Sequence, residues 1–352
     1  MSAIFRLKRF VARALTTDPM TAVMQPLTRG VASVMMLHRF ADPERQNAGH
    51  DANELRSHLA YLRRMRYELV GLRELVTRLQ NHDTRLAKTV AFTVDDGYAD
   101  YATVGVRVFA EFDCPATVFV VTGAVDERGW YWWDRLRVAL ETASRRTLAL
   151  EIAGTSLALE WSDHAGAERA ARTIVDRMKR ASDADRRRIL DEIPRLVEAE
   201  VPAAPPARYA ALTWDEIRAC SNGLTTFGAH TVTHPILART DDATARREIE
   251  TSWRRVASET TAAIPVFCYP NGGSTDLGPR ETRILRDLGM TAAVTSQMGY
   301  ATVEAFHRDA DGPFLVPRFP YYGDTTSLVQ VVSGVERMKL AVRRSIARRV
   351  SA

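Results

Sequence analysis

The sequence predicts an α/β protein whose parallel strands form a sheet or a barrel, and three observations predict it. Short apolar runs, several rich in β-branched residues, alternate with stretches of helical periodicity. Three of those runs end in clusters of Asp, His, Pro and Gly, and in a parallel barrel all C-terminal strand ends meet on one face. A chain of 352 residues, 46% hydrophobic and 26% charged, can bury a sizeable core in one large domain or two modest ones.

Residues 1–29 read as a basic amphipathic segment, with Arg6, Lys8, Arg9 and Arg13 interleaved with Phe5, Leu7, Phe10, Val11 and Leu15. Residues 31–37 form an apolar run that reads as a buried strand and ends in His38, Arg39 and Phe40. A helix over 53–65 follows, with Leu55, Leu59, Leu62 and Met65 on one face and Asn53 as its cap, then a second helical segment over 72–79. Strand 89–94, helix 101–112 and strand 116–122 continue the alternation. The rhythm breaks between Trp133 and Leu212. Residues 134–212 are a mainly helical, Arg-rich insertion whose charge pattern reads as a solvated face, with an extended Pro-rich tract over 202–206. Strand 224–227, helix 244–260, strand 266–269, helix 280–288 and strand 291–295 complete a domain spanning 30–330. Residues 331–352 read as a second basic helix, with Arg337, Lys339, Arg343, Arg344, Arg348 and Arg349 beside Val335, Met338, Leu340, Val342 and Ile346.

The net charge of +5 favours anionic surfaces. The basic ends either pack on the domain with solvated faces or dock on an anionic membrane or phosphate-bearing lipid. Aromatic platforms and reader motifs are missing from them, so nucleic acid is not an expected partner. No apolar run is long enough to span a bilayer, and no signal-peptide pattern precedes Pro19. Cys114, Cys220 and Cys268 are few, odd in number and widely spaced, which fits a reducing compartment; a cytoplasmic protein, peripheral on the inner face of the membrane, is the expectation.

The first chemical cluster, T-V-D-D-G-Y-A-D-Y, sets Asp95 and Asp96 at the end of a buried strand. Asp-Asp-Gly is also an ordinary strand-ending turn, with Gly97 supplying a positive φ. The second, F-G-A-H-T-V-T-H-P, spaces His230 and His234 four residues apart; on one helical turn that spacing sets two imidazoles on the same side, as a metal requires. Two neutral imidazoles and one carboxylate leave coordination positions open, and a second carboxylate beside a metal-bound water can take its proton, so hydrolysis is the natural chemistry. The third, F-C-Y-P-N-G-G from Phe267 to Gly273, ends a strand in a loop with exposed N–H groups, one of which could stabilise an oxyanion with the metal.

In this order the three motifs resemble the polysaccharide deacetylase family, the metal-dependent carbohydrate esterases with a NodB homology domain; C-P-A-T-V-F-V-V-T-G, Cys114 to Gly123, is similar to that family's second strand. The resemblance implies a distorted (β/α) barrel of seven strands. It implies Asp95 as general base, Asp96, His230 and His234 as metal ligands, and the Asn271 N–H as oxyanion donor. The sequence departs from the pattern at two places. Many members carry an Arg where Cys268 stands and an aromatic where Asn271 stands; Arg318, in V-P-R-F-P, is the candidate to replace that Arg in holding the base. Tyr269, Pro270, Trp132 and Trp133 are candidate substrate-binding residues, the two tryptophans either as a stacking surface or as a plug under the insertion. Most members take their general acid from a Leu-x-His motif near the C-terminal end. None is visible here, and His307 lies in a polar run read as a rim loop. The first strand ends in His38, as in the circularly permuted members, so His38 is the expected acid.

The resemblance thus implies a metal-dependent N-deacetylase acting on an acetylated amino sugar of an envelope glycan or lipid-linked glycan. Zinc is the favoured metal, with iron, cobalt or nickel compatible with the same ligands. A deformylase of a lipid-phosphate-linked amino sugar is the nearest alternative. A glycan-binding protein with a vestigial site is another, against which the intact Asp-Asp and His-His pairs argue.

Overall fold

The computed structural model describes residues 17–127 and 129–340. The basic residues Arg6, Lys8, Arg9 and Arg13 and Arg343, Arg344, Arg348 and Arg349, on which the two amphipathic ends were read, lie outside the described residues. Within them, Arg337 donates to the carbonyls of Leu27 and Arg29, and Lys339 pairs with Glu336 at 2.7 Å. No described helix is long and apolar enough to cross a membrane.

Ten strands form among the described residues: β1 Ala32–Leu37, β2 Glu68–Leu69, β3 Thr89–Val94, β4 Ala116–Val120, β5 Thr147–Ile152, β6 Thr155–Glu160, β7 Thr225–Ala229, β8 Ala263–Cys268, β9 Ala292–Val294 and β10 Phe319–Pro320. Seven of them make one parallel path, β10-β1-β3-β4-β7-β8-β9, with the two-residue β2 added beside β3. A parallel bridge between Val294 and Val316 draws the run into β10 against β9, so the path curls towards closure. Seven strands in a distorted barrel is the fold the family resemblance implied.

Strand periodicity places the chemistry. Ala32 and Val34 of β1, Ala91 of β3, Phe119 of β4, Val266 and Cys268 of β8 and Val294 of β9 share one buried cluster, the barrel interior. The alternate residues Met35, Leu37, Phe92, Val94, Val118, Val120 and Phe267 pack in a second cluster with the surrounding helices. With a period of two, the interior face continues beyond the strand ends into His38, Asp95 and His230. The register aligns these ends, pairing Leu37 with Val94 and Val120 with Ala229. Gly228 is small for a reason: a Cβ there would meet the Phe119 ring at 2.5 Å, and that ring fills the barrel.

Several local expectations need correction. The helix Ala52–Arg64 is capped by Asp51, whose carboxylate accepts from the N–H groups of Asn53 and Glu54, and not by Asn53. The helix expected over 101–112 is a π-helical turn, Tyr101–Gly105, run into a short helix, Val106–Ala110. The insertion joins β4 to β7 and holds the helices Trp132–Glu141, His164–Met178 and Asp183–Leu196, but it also contains the antiparallel hairpin β5–β6. That hairpin turns through Ala153 and Gly154, both at positive φ (50° and 72°), a geometry that Asn-Gly signals plainly and Ala-Gly does not. The insertion has its own apolar core, including Leu136, Leu140, Leu148, Trp161, Ile174 and Ile193, so it is a folded layer and more than a solvated face.

Candidate active site

The strand ends and the insertion flank a half-open cavity of about 410 Å³ at the C-terminal mouth of the barrel. His38, Asp95, Asp96, His230, His234, Asn271 and Ser296 line it from the barrel side; Trp132, Trp133, Arg137, Arg172, Val175, Asp176 and Lys179 line it from the insertion.

Asp95, Asp96, His230 and His234 are all buried. The Asp-Asp-Gly turn is tight: Gly97 sits at φ +76°, and a Cβ there would meet Val120 Cγ1 at 2.7 Å. Asp96, Thr231, His234 and Asn271 are themselves held at positive φ, at 71°, 67°, 55° and 57°. Backbone strain of this kind, concentrated in three loops of one cavity, persists only where the surroundings enforce it.

The two histidines do not lie on a helix, as their spacing suggested; they lie in the loop after β7. Partners that sequence reasoning missed hold that loop. The buried carboxylate of Glu248, on the helix Asp242–Glu259, accepts from the Val232 and Thr233 N–H groups at 2.8 and 2.9 Å and from Thr233 Oγ1 at 2.8 Å. From the insertion, the buried guanidinium of Arg186 donates to the His234 carbonyl at 3.2 Å, and Trp133 stands edge-on to the His234 ring at 4.7 Å. Tyr131 donates to the Asp96 carbonyl at 2.8 Å.

Asp96 Oδ1 lies 3.5 Å from each of His230 Nε2 and His234 Nε2, which are 3.2 Å from each other. Donors about 2.1 Å from a common tetrahedral centre lie about 3.4 Å apart, so the three atoms fit one zinc-sized cation. His230 Nδ1 is 2.7 Å from the Cys268 carbonyl, which fixes its tautomer with the Nε2 lone pair facing the other two donors. Charge supports the same assignment. Burial, and then His230, push His234 down to about 3, whereas at His230 burial is outweighed by Cys268 and Asp96, which raise it well above its ordinary value. Three donors thus share a place for positive charge. Asp95, His230 and Cys268 form a second group of similar spacing, but both Asp95 oxygens are already engaged.

Their partner is Arg318. It is buried, and it binds Asp95 bidentately at 2.6 and 2.7 Å; it also donates to the Thr295 carbonyl at 2.9 Å and Thr93 Oγ1 at 3.0 Å, with Cys268 Sγ at 3.3 Å. Burial would raise the Asp95 pKa, but the guanidinium outweighs it and holds the carboxyl well below the usual range. Cys268 Sγ lies beside the guanidinium that arrives from the run into β10.

His38 is exposed to the cavity, and its ring makes no hydrogen bond among the described residues. Beside it, His50 is pushed down to about 4 by burial and by His38, and stands edge-on to Tyr321 at 4.8 Å. His307 is elsewhere: it stacks on His82 at 3.8 Å and binds the Leu79 carbonyl at 2.9 Å. The Asn271 N–H takes no protein acceptor among the described residues. Tyr269 and Pro270 do not line the cavity; Tyr269 is a core residue packed on Phe267, because the barrel period turns it outwards. Trp132 and Trp133 do line it.

No curated protein matches the chain. Among solved structures, the deacetylase PplD of Streptococcus pyogenes, in complex with acetate, is similar at TM-score 0.55 and 17% identity, covering 87% of this chain and 99% of that one. IcaB of Ammonifex degensii is similar at TM-score 0.53 and 16% identity, covering 87% and 97%. A polysaccharide deacetylase of Bacillus cereus is similar at TM-score 0.53 and 13% identity, covering 87% and 69%. These likenesses show a shared fold. The sequence profile described as polysaccharide deacetylase matches residues 82–293, a stretch that holds all three motifs, and by that match the chain belongs to the polysaccharide deacetylase family.

Proposed function

We propose that this chain hydrolyses the N-acetyl group of an amino sugar in an envelope glycan or lipid-linked glycan, with a divalent cation, zinc first among the candidates, held by Asp96, His230 and His234. The observation that carries this reading is the pairing of a buried triad of donors 3.2–3.5 Å apart with an Arg318-bound Asp95 beside it. When bound there, the cation supplies a Lewis acid for the amide carbonyl and lowers the pKa of water towards about 7.

The chain's own residues do the rest. Asp95, ionised and oriented by Arg318, takes a proton from the attacking water. The Asn271 N–H donates to the oxygen that becomes negative as the carbonyl carbon turns tetrahedral. His38, on the first strand end, protonates the departing amine. Acetate and a free amino sugar result. Trp132 and Trp133 offer apolar faces to the sugar ring.

The test is product analysis by mass spectrometry on acetylated and formylated amino-sugar glycans with metal-loaded protein. Release of acetate with a free amine supports the reading, release of formate alone turns it to a deformylase, and a fully metallated protein that cleaves neither amide overturns it. We extend the proposal to a cytoplasmic chain that meets an anionic membrane through its basic ends. Liposome sedimentation with and without residues 1–18 and 335–352 tests that extension, and equal binding by both forms refutes it.

A further inference from the structure

We propose that the insertion wall of the cavity is a subsite for an oxyanion carried by the substrate, so that the glycan this chain acts on is an anionic one; the inference rests on the deacetylase reading and deepens it. Arg172, on the helix His164–Met178, and Lys179, which caps it, are seven residues apart, two turns on one side of the helix, and both line the cavity. Neither side chain has an acidic partner among the described residues. Arg137 joins them from the helix Trp132–Glu141, but its charge is balanced, by Asp134 at 2.9 Å and Glu168 at 3.7 Å.

The charges facing the cavity decide the sign. On the insertion side Asp176 opposes Arg172 and Lys179 and forms an ion pair with neither, which leaves that wall with a net positive charge. On the barrel side Asp95 is neutralised by Arg318, and Asp96 belongs to the donor triad. Unpaired cations on an outer surface are ordinary and screened. Arg172 is exposed and Lys179 half-buried, but both face a half-open cavity whose opposite wall holds the donor triad, beside the rings of Trp132 and Trp133. A sugar held between those rings and the triad places its ring substituents against Arg172 and Lys179. A phosphate or a carboxylate there makes charge-assisted hydrogen bonds, which a neutral hydroxyl does not.

The experiment is calorimetric titration of the full-length, metal-loaded chain in an Asp95→Asn background, which limits turnover. The probes are N-acetylglucosamine, N-acetylglucosamine 1-phosphate and N-acetylmuramic acid. The readout is the affinity ratio of each anionic sugar to the neutral one, for the parent, for Arg172→Ala/Lys179→Ala, and for Arg177→Ala, a cation of the same helix that does not line the cavity. A parent ratio of about ten or more, falling to near one in the double variant and kept in Arg177→Ala, supports the subsite; whichever anionic probe shows it assigns phosphate or carboxylate. A parent ratio near one overturns the proposal, as does a ratio that survives in the double variant, which would place the anion on the metal. Failure of the deacetylase reading is separate, since it appears as wild-type protein that releases no acyl group from any glycan.

Discussion

The two walls of the cavity are built on opposite plans. On the barrel wall each side chain proposed to take part in the reaction, except His38, is buried and held: Asp95 by Arg318, His230 by the Cys268 carbonyl, the His234 loop by Glu248 and Arg186. On the insertion wall Arg172 and Lys179 are more accessible and unpaired. Groups that must act on one bond need fixed geometry, and buried partners supply it. Groups that meet a substrate at its periphery gain from reach. Under the proposed function, chemistry belongs to the barrel and selection to the insertion.

Breaking the barrel wall should have the largest consequences. His230→Ala or Asp96→Ala should lose bound metal and hydrolysis together, read as metal per chain by elemental analysis; full occupancy in either variant would dismantle the ligand assignment. Asp95→Asn should keep its metal and lose ~10²–10⁴-fold in kcat, and His38→Ala about 10²-fold, with His307→Ala close to wild type. A large loss for His307→Ala with little for His38→Ala would move the general acid to another wall.

Arg318→Met should cost about 3–5 kcal/mol of folding stability in urea melts, because it strands the buried Asp95 charge. Adding Asp95→Asn should restore much of it; no recovery would mean that Arg318 stabilises through Thr295 and Cys268 instead.

The junction of the two walls responds to pH. Asp134, fully buried, is raised from 3.8 to about 6 by burial, against the pull of Tyr98 and Arg137. The folded state therefore holds that proton more firmly than the unfolded chain. Its contribution to stability is complete below about pH 3 and is lost as pH rises from there through 6. Wild type should lose about 3 kcal/mol between about pH 3 and 7 that Asp134→Asn does not lose. Parallel stability curves would show that Asp134 titrates normally. The smallest effect is expected at Glu248→Gln, which weakens the support of the His loop: about tenfold in metal affinity by competition with a chelator, with the ligands intact.

Much of this protein is local and therefore legible. The alternation of apolar runs with helical periodicity determines parallel strands covered by helices, in a sheet or a barrel, and the family resemblance selects the barrel. Period two carries His38, Asp95 and His230 onto the inner face, and the Asp-Asp-Gly turn needs only its own residues and a neighbouring Val120. The tertiary structure alone decided the rest. The family resemblance offered Arg318 as the residue to hold Asp95, but only the fold brings the two together across 223 positions of sequence, with Cys268 Sγ 3.3 Å from the guanidinium. Glu248 supports the His loop from one face of a helix whose other charged residues are solvated, and the sequence does not distinguish them. The insertion's cations read as a solvated face because helical spacing states which residues share a side. Only packing against Leu136, Ile174 and Ile193 states where that side points.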